Sequence, residues 1–414
     1  MPPQCRTTLM TIVALCVVAQ VLIMQEGAVL PADGQTPALS SALAAAPLAD
    51  RSGTPPPPLP PPPPRPPDPE HTSHDAIERR LSSRGLGDAA VASKFDAGGQ
   101  SAAAGDSAPR SQQGAAAEES AVHVVIGADR MHWPGVIAVV NSIRANTKAP
   151  GRLRLHLLTP IADEAAFRAF LQCNGLAAAE DSGVEIVGFD GQLVPLLKVQ
   201  TKLTNLESPL NFARFYMHRL FPSIHKVVYL DADVIVRGDI AELFDGSLPG
   251  GELCAATHRK LTLGAKGVAS LRNEKLQSQF HSRYGRALPL ADRGFNAGVF
   301  VFNLKRWSEM RLTAEVEHWI AANNRDKLYM LGSQPPLVLA IYGAGERCQQ
   351  LEAEWHLDCL GCMGAGRLKT PQQLDAAKLL HWNGPNKPFK TTAGARRAHR
   401  SLFDPYAGRA ECHA

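Results

Sequence analysis

The stretch His225–Asp239, HKVVYLDADVIVRGD, limits the folds open to this chain more than any other, because an apolar run stops abruptly on two carboxylates. Lys226–Leu230 reads as a short strand of β-branched and aromatic residues and Val234–Val236 as a second extended piece, with Asp231, Ala232 and Asp233 between them. Such runs predict strands buried on both faces. Carboxylates are almost never fully buried unless paired or bound to a metal. A hard divalent cation, Mn²⁺ or Mg²⁺, suits oxygen ligands on a turn and commonly bridges a protein carboxylate to a substrate diphosphate. An isolated Asp-x-Asp is more often a solvated turn, so the rest of the chain has to decide.

Leu9–Met24, LMTIVALCVVAQVLIM, carries no charge and follows Arg6. It falls short of the ~20 residues of a full membrane span and exceeds the ~7–15 residues of a signal-peptide core. Apart from Glu26-Gly27-Ala28, no small-x-small cleavage site closes it. Residues 1–30 are therefore expected to be an uncleaved signal anchor with Arg6 on the cytoplasmic side, a secreted chain being the alternative. In both cases the remainder is lumenal or extracellular. Residues 31–120 are expected to be a disordered stem, since Phe95 is the only aromatic before Trp133 and Ala, Pro, Ser and Gly dominate. Within it Pro55–Pro67, broken only by Leu59 and Arg65, reads as a stiff polyproline II spacer.

From Ala121 the texture is globular. Val122–Ile126 reads as a buried strand with Gly127-Ala128-Asp129 as its turn, Pro134–Ala145 as a helix, Leu153–Leu158 as a strand, Asp163–Cys173 as a helix and Val184–Phe189 as a strand. This alternation predicts an α/β domain over 121–414, with a mostly parallel central sheet and helices on both faces. Ligands gather at the carboxyl ends of such strands, which places Asp129 and the Asp231/Asp233 pair on one rim. The net charge of +4 is too mild to imply nucleic acid. Six cysteines lie beyond the anchor, and their fifteen possible pairings stay open. Cys359-Leu-Gly-Cys362 lacks the second pair that a zinc site normally needs, so a structural disulfide or inert thiols is the reading.

Four further stretches carry polar residues at apolar borders. Ser208–Tyr216 (SPLNFARFY) predicts a helix opened by Ser-Pro, with Arg214 facing the same rim. Arg293–Leu304 (RGFNAGVFVFNL) predicts a polar turn leading into an apolar strand, with Asn296 needing hydrogen-bond partners that sugar hydroxyls could supply. LGSQPPL contains Gln334. His381–Phe389 (HWNGPNKPF) combines an imidazole able to complete a divalent site, Gly384 in a turn, and Lys387, a point charge suited to phosphate. Because His381 is so far along the chain from Asp233, this segment is expected to act as a lid ordered by the donor.

Taken in order, SPLNFARFY, YLDADVIV followed by GDI, FNAGVFVFNL with Trp307, LGSQPPL, HWNGPNKPF and SLFDPY resemble glycosyltransferase family 8, with the plant-type galacturonosyltransferase-like branch the nearest. The resemblance covers about Val122–Tyr406. It implies the GT-A fold (Rossmann-like), a UDP-sugar donor, Mn²⁺ (or Mg²⁺), and transfer of a hexosyl or hexuronosyl group to a glycan or glycoconjugate with retention of configuration. Anchor and stem likewise resemble Golgi type II transferases.

By the same resemblance Asp231, Asp233 and His381 are metal ligands, and Asp129 meets the uridine. Arg214 and Lys387 contact the donor beside Ala232 and Gly384, Asn296 faces the sugar, and Gln334 stands near the reacting carbon. Arg130 and Met131 depart from the family pattern after Asp129, and the position of Gln334 is usually Leu in the plant branch. Galacturonate for a cell-wall polysaccharide is the leading donor, ahead of xylose, galactose and glucose, with Arg293 and Lys305 as candidate partners for the uronate. A catalytically silent nucleotide-sugar-binding relative is the alternative function.

Overall fold

The computed structural model describes residues 120–176, 183–194, 208–265, 271–330, 332–364, 368–390 and 399–412. The expected anchor, and the expected stem up to residue 119, lie outside them. Among the described residues no helix is long and apolar enough to cross a membrane.

Strands β1 (Val122–Gly127), β2 (Leu153–Pro160), β3 (Val184–Phe189) and β4 (Lys226–Asp231) lie in the parallel order β3-β2-β1-β4, with α1 (Trp133–Asn146) and α2 (Glu164–Cys173) as crossovers. β5 (Val234–Val236) leaves the main sheet. α4 (Ile240–Gly246) follows it; the one-turn α3 (Met217–Leu220) precedes β4. The sheet continues through β7 (Arg293–Asn303), antiparallel to β4, then β6 (Cys254–Thr262), antiparallel to β7, and ends on β8 (Gln349–Gln350), parallel to β6. Four of the six pairings are therefore parallel, as the strand-helix alternation predicts.

The period-2 alternation of strand side chains builds two cores. Val124 and Ile126 of β1, with Val228 and Leu230 of β4, meet α1, α2 and α4 on one face. Val125, Val227 and Tyr229 point the other way. There they meet α5 (Glu274–Tyr284), α6 (Leu304–Glu309), α7 (Leu312–Asp326) and α8 (Gln334–Gly343). Both faces are covered, so the parallel strands can be apolar throughout.

Two local expectations change. The Ser208–Tyr216 segment is a 3-10 helix over Pro209–Phe215 rather than an α-helix. Three residues per turn eclipse positions i and i+3, which puts Phe212 beside Phe215 in the core and Asn211 beside Arg214. Arg293–Phe295 is strand rather than turn, because β6 pairs with it at His258↔Phe295 and Thr262↔Arg293 through two register shifts. The β6–β7 ribbon thus runs past the carboxyl end of β4.

A second sheet pairs β5 with β9 (Leu379–His381), which follows α9 (Pro371–Ala376); its antiparallel register is Val234↔His381, Ile235↔Leu380 and Val236↔Leu379. All six cysteines of the described domain are bridged, as Cys173–Cys412, Cys254–Cys348 and Cys359–Cys362.

Candidate metal centre

β1 and β4 are neighbours with Gly127 level with Asp231, so the turns that follow them, Ala128-Asp129 and Ala232-Asp233, open side by side on one rim. The β5–β9 ladder then sets His381 level with Val234, and Trp382 N donates to Asp233 O at 2.9 Å. Asp231, Asp233 and His381 each offer one ligand atom, and these atoms all lie within 4.8 Å of one another. His381 Nε2 stands 3.1 Å from Asp233 Oδ1 and 3.8 Å from Asp231 Oδ2.

Two cations hold the carboxylates. Lys387 Nζ pairs with Asp233 Oδ2 and donates to Trp382 O at 3.0 Å. Arg214, only 5% exposed, reaches Asp231 Oδ1 at 3.2 Å, Asn211 Oδ1 at 3.2 Å, Tyr229 Oη at 3.3 Å and Ala297 O at 2.8 Å. Burial pushes the Asp233 carboxyl up, but Lys387 and His381 outweigh it and hold the group well below the usual carboxylate range. Burial pushes the Tyr229 phenol up to about 12, so it stays a neutral partner for Arg214.

The residues fit a divalent cation. Two carboxylates and an imidazole are ligands that divalent ions take, and the floor of the site is kept clear at Gly298. A Cβ there would overlap His381 Cε1 and stand 2.6 Å from Asp231 Oδ2.

The other expected residues surround this centre in different ways. Asp129 accepts from or shares a proton with His132 Nδ1 at 2.6 Å. Burial raises the Asp129 carboxyl, and the His132 contacts bring it below its ordinary value. His132 in turn meets the Phe389 ring edge-on at 5.8 Å, which ties the β1 turn to the C-terminal segment. The carbonyl of Ala232 packs directly over Gly135 at the start of α1. Asn296 Oδ1 accepts from Gly298 N at 2.9 Å. Gln334 accepts from Ala297 N at 3.3 Å and donates to Phe295 O, so both ends of its amide clamp the start of β7. Gly384 has φ +106° and faces Gly361 and Cys362, so its glycine requirement arises from the disulfide loop.

Two expectations are corrected. Lys305 lies beyond the far end of β7, whose Gly298–Asn303 stretch alone spans about 17 Å at strand rise, so it cannot meet a sugar at the rim. Arg293 is exposed at the rim end. His381 and Trp382 are not part of a lid: they are 1% and 0% exposed and belong to, or directly follow, a paired strand.

Three residues escaped the sequence reading. Gly298 keeps the floor open, and His132 partners Asp129. His356 stands behind His381, with its Nε2 2.8 Å from His381 Nδ1. Burial, then the neighbouring His381 and Arg259, hold the His356 imidazolium well below its ordinary range.

Residues 123–393 match the sequence profile of the family described as Glycosyl transferase family 8. The chain is 34% identical over 287 residues to human Glycosyltransferase 8 domain-containing protein 1, covering 66% of this chain and 74% of that one. It is 29% identical over 284 residues to Probable galacturonosyltransferase-like 10 of Arabidopsis thaliana, covering 66% and 72%. Among solved structures, a complex of the galactosyltransferase LgtC with donor and acceptor sugar analogs superposes with TM-score 0.47 at 21% identity, covering 69% of this chain and 95% of that one.

Proposed function

The chain belongs to glycosyltransferase family 8, and from that premise we propose that it moves a hexosyl or hexuronosyl group from a UDP-sugar to a glycan or glycoconjugate, with retention of configuration. The observation that carries this reading is the convergence of Asp231, Asp233 and His381 between two cations. Lys387 and Arg214 already balance the two carboxylates, so an added Mn²⁺ leaves the centre with a surplus of positive charge suited to a diphosphate. When bound, such an ion stabilises charge developing on the leaving phosphate.

The protein's own groups prepare that step. Arg214 occupies Asp231 Oδ1 and leaves Oδ2 facing His381. Its role is to hold and orient this carboxylate, with any contact to the donor made past Asp231. Lys387 exchanges Asp233 for the diphosphate, a short move for an ammonium whose other bond is to Trp382 O. Asp129, with His132, faces the nucleoside side of the rim. Gln334 and Asn296 fix the backbone from Phe295 to Gly298 that forms the sugar-side wall.

A hydrolytic reading would need a carboxyl with a raised pKa as acid. Front-face displacement, in which the departing phosphate accepts the acceptor's proton, needs no such group.

Galacturonate as the sugar draws its support from the plant relative, whose identity is below that of the human one. The lumenal Golgi placement draws support from the three disulfides, which form in oxidising compartments. The membrane attachment through residues 1–30 and the spacer role of the stem are part of the same proposal. A panel of UDP-sugars assayed for Mn²⁺-dependent UDP release tests the reading. Release from one donor is expected; no release from any of them contradicts it, and preference for a neutral hexose removes galacturonate alone.

A further inference from the structure

His356 lies outside the ligand set, yet it is 6% exposed and meets His381 edge to edge, with ring centroids 5.0 Å apart and planes at 22°. Its place is set by backbone rather than by a mobile loop. Leu357 N donates to Leu379 O at 2.9 Å, His381 N donates to Leu357 O at 3.0 Å, and Leu360 N donates to His381 O at 3.1 Å. The segment that carries His356 therefore runs as an extra edge beside β9.

Two imidazole nitrogens 2.8 Å apart share one hydrogen. If His381 Nδ1 carries it, His381 Nε2 presents a lone pair toward Asp233 Oδ1 and Asp231 Oδ2. If His356 Nε2 carries it, His381 bears its own proton on Nε2 and donates it to Asp233 Oδ1, the contact seen at 3.1 Å. The pair thus has two tautomeric arrangements, one in which His381 donates to Asp233 and one suited to a liganding imidazole. Passing from the first to the second moves the shared proton from His356 Nε2 to His381 Nδ1. One proton leaves His381 Nε2 and one arrives on His356 Nδ1, so no net charge is created.

We propose that His356 is a positioning residue for the metal centre, which accepts the Nδ1 proton of His381 and so selects the tautomer whose Nε2 can bind a divalent cation. The inference rests on the transferase reading only in taking Asp231, Asp233 and His381 as ligands. Metal-binding histidines ordinarily give their second N–H to a carboxylate, carbonyl or water, and loss of that partner typically costs 10–100-fold in affinity. Here the acceptor is a second imidazole.

The test uses the full-length chain and Mn²⁺ alone, with no donor, titrated by electron paramagnetic resonance. His356→Phe keeps a flat buried ring without an acceptor, and His356→Gln places an amide oxygen near the position of Nε2. The expected result is a loss of roughly 10–100-fold in Mn²⁺ affinity for His356→Phe, with His356→Gln close to wild type. Long-range ¹H–¹⁵N spectra of histidine-labelled wild type should show the His381 proton on Nδ1 once Mg²⁺ is saturating. Wild-type affinity in His356→Phe, or a His381 proton on Nε2 in the Mg²⁺ form, overturns the proposal and leaves the transferase reading standing. A wild-type chain that binds no Mn²⁺ removes both. If His356→Phe does not fold, the glutamine variant and the wild-type spectrum still decide.

Discussion

Gly298 shows how much of the centre depends on an atom that is missing. A methyl group there would collide with both His381 and Asp231, and a displacement of about 1 Å in such a constellation can cost on the order of 10²-fold in rate. Gly298→Ala is expected to keep its fold by circular dichroism and to lose about that much Mn²⁺-dependent UDP release; wild-type turnover would show that the floor need not be clear. Arg214 makes the complementary case. No ammonium can span Ala297 O, Asn211, Tyr229 and Asp231 as a guanidinium does. Arg214→Lys should lose about 1–3 kcal/mol in urea unfolding through buried acceptors left unpaired, and an unchanged midpoint would contradict this. Asp231, Asp233 and His381 were legible in the sequence because each interrupts or ends an apolar run, and Lys387 as a point charge in the turn that follows. Gly298 and His356 were not: a glycine announces no contact, and the task of His356 exists only once Leu357 lies beside Leu379.

At the scale of elements, the strands and crossovers around β1, β2 and β4 could be read from apolar runs and periodicity, because local pattern and tertiary burial agree there. The three-residue pairing of β5 with β9 could not, since its partners are far apart in sequence and too short to carry a pattern. That gap is why His381 and Trp382 read as part of a lid in the sequence, whereas the fold holds them in and directly after a paired strand. The fifteen cysteine pairings stayed open for the same reason. The pairing found has unequal consequences. Cys173–Cys412 closes a loop of 239 residues, and replacing either cysteine by serine should cost about 2–4 kcal/mol in thermal or urea unfolding. Cys359–Cys362 closes a loop across a separation of only 3, so its loss should barely move the global midpoint. Its effect should fall instead on UDP release, because Leu360 and Cys359 bond His381 O and Asn383. The reverse pattern, a large global loss and intact activity for Cys359→Ser, would contradict that division.

For the whole molecule, acid sensitivity should come in two stages. Burial lowers both His123 and His218 to about 4. The unfolded chain takes up these protons near pH 6.5, so stability falls as pH drops from about 6.5 to about 4. Glu315 acts lower down. Burial raises its carboxyl, but Arg283 and Tyr284 outweigh this and depress it; its contribution is complete above about 4.5 and is lost as pH falls through the folded value. Melting temperatures at pH 7.5, 6 and 5 should decline, and His123→Gln should flatten part of that slope; a level profile over the range would contradict the buried-neutral histidines. The central claim is that three ligands from two distant parts of the chain, Asp231 and Asp233 at the β4 turn and His381 on β9, act as one ion site for a sugar transfer. Mn²⁺-dependent UDP release in wild type, Asp233→Asn and His381→Ala, each verified as folded, tests it most directly. Both variants should lose most activity together with their response to Mn²⁺, whereas His381→Ala working at the wild-type rate with an unchanged Mn²⁺ response would contradict the account.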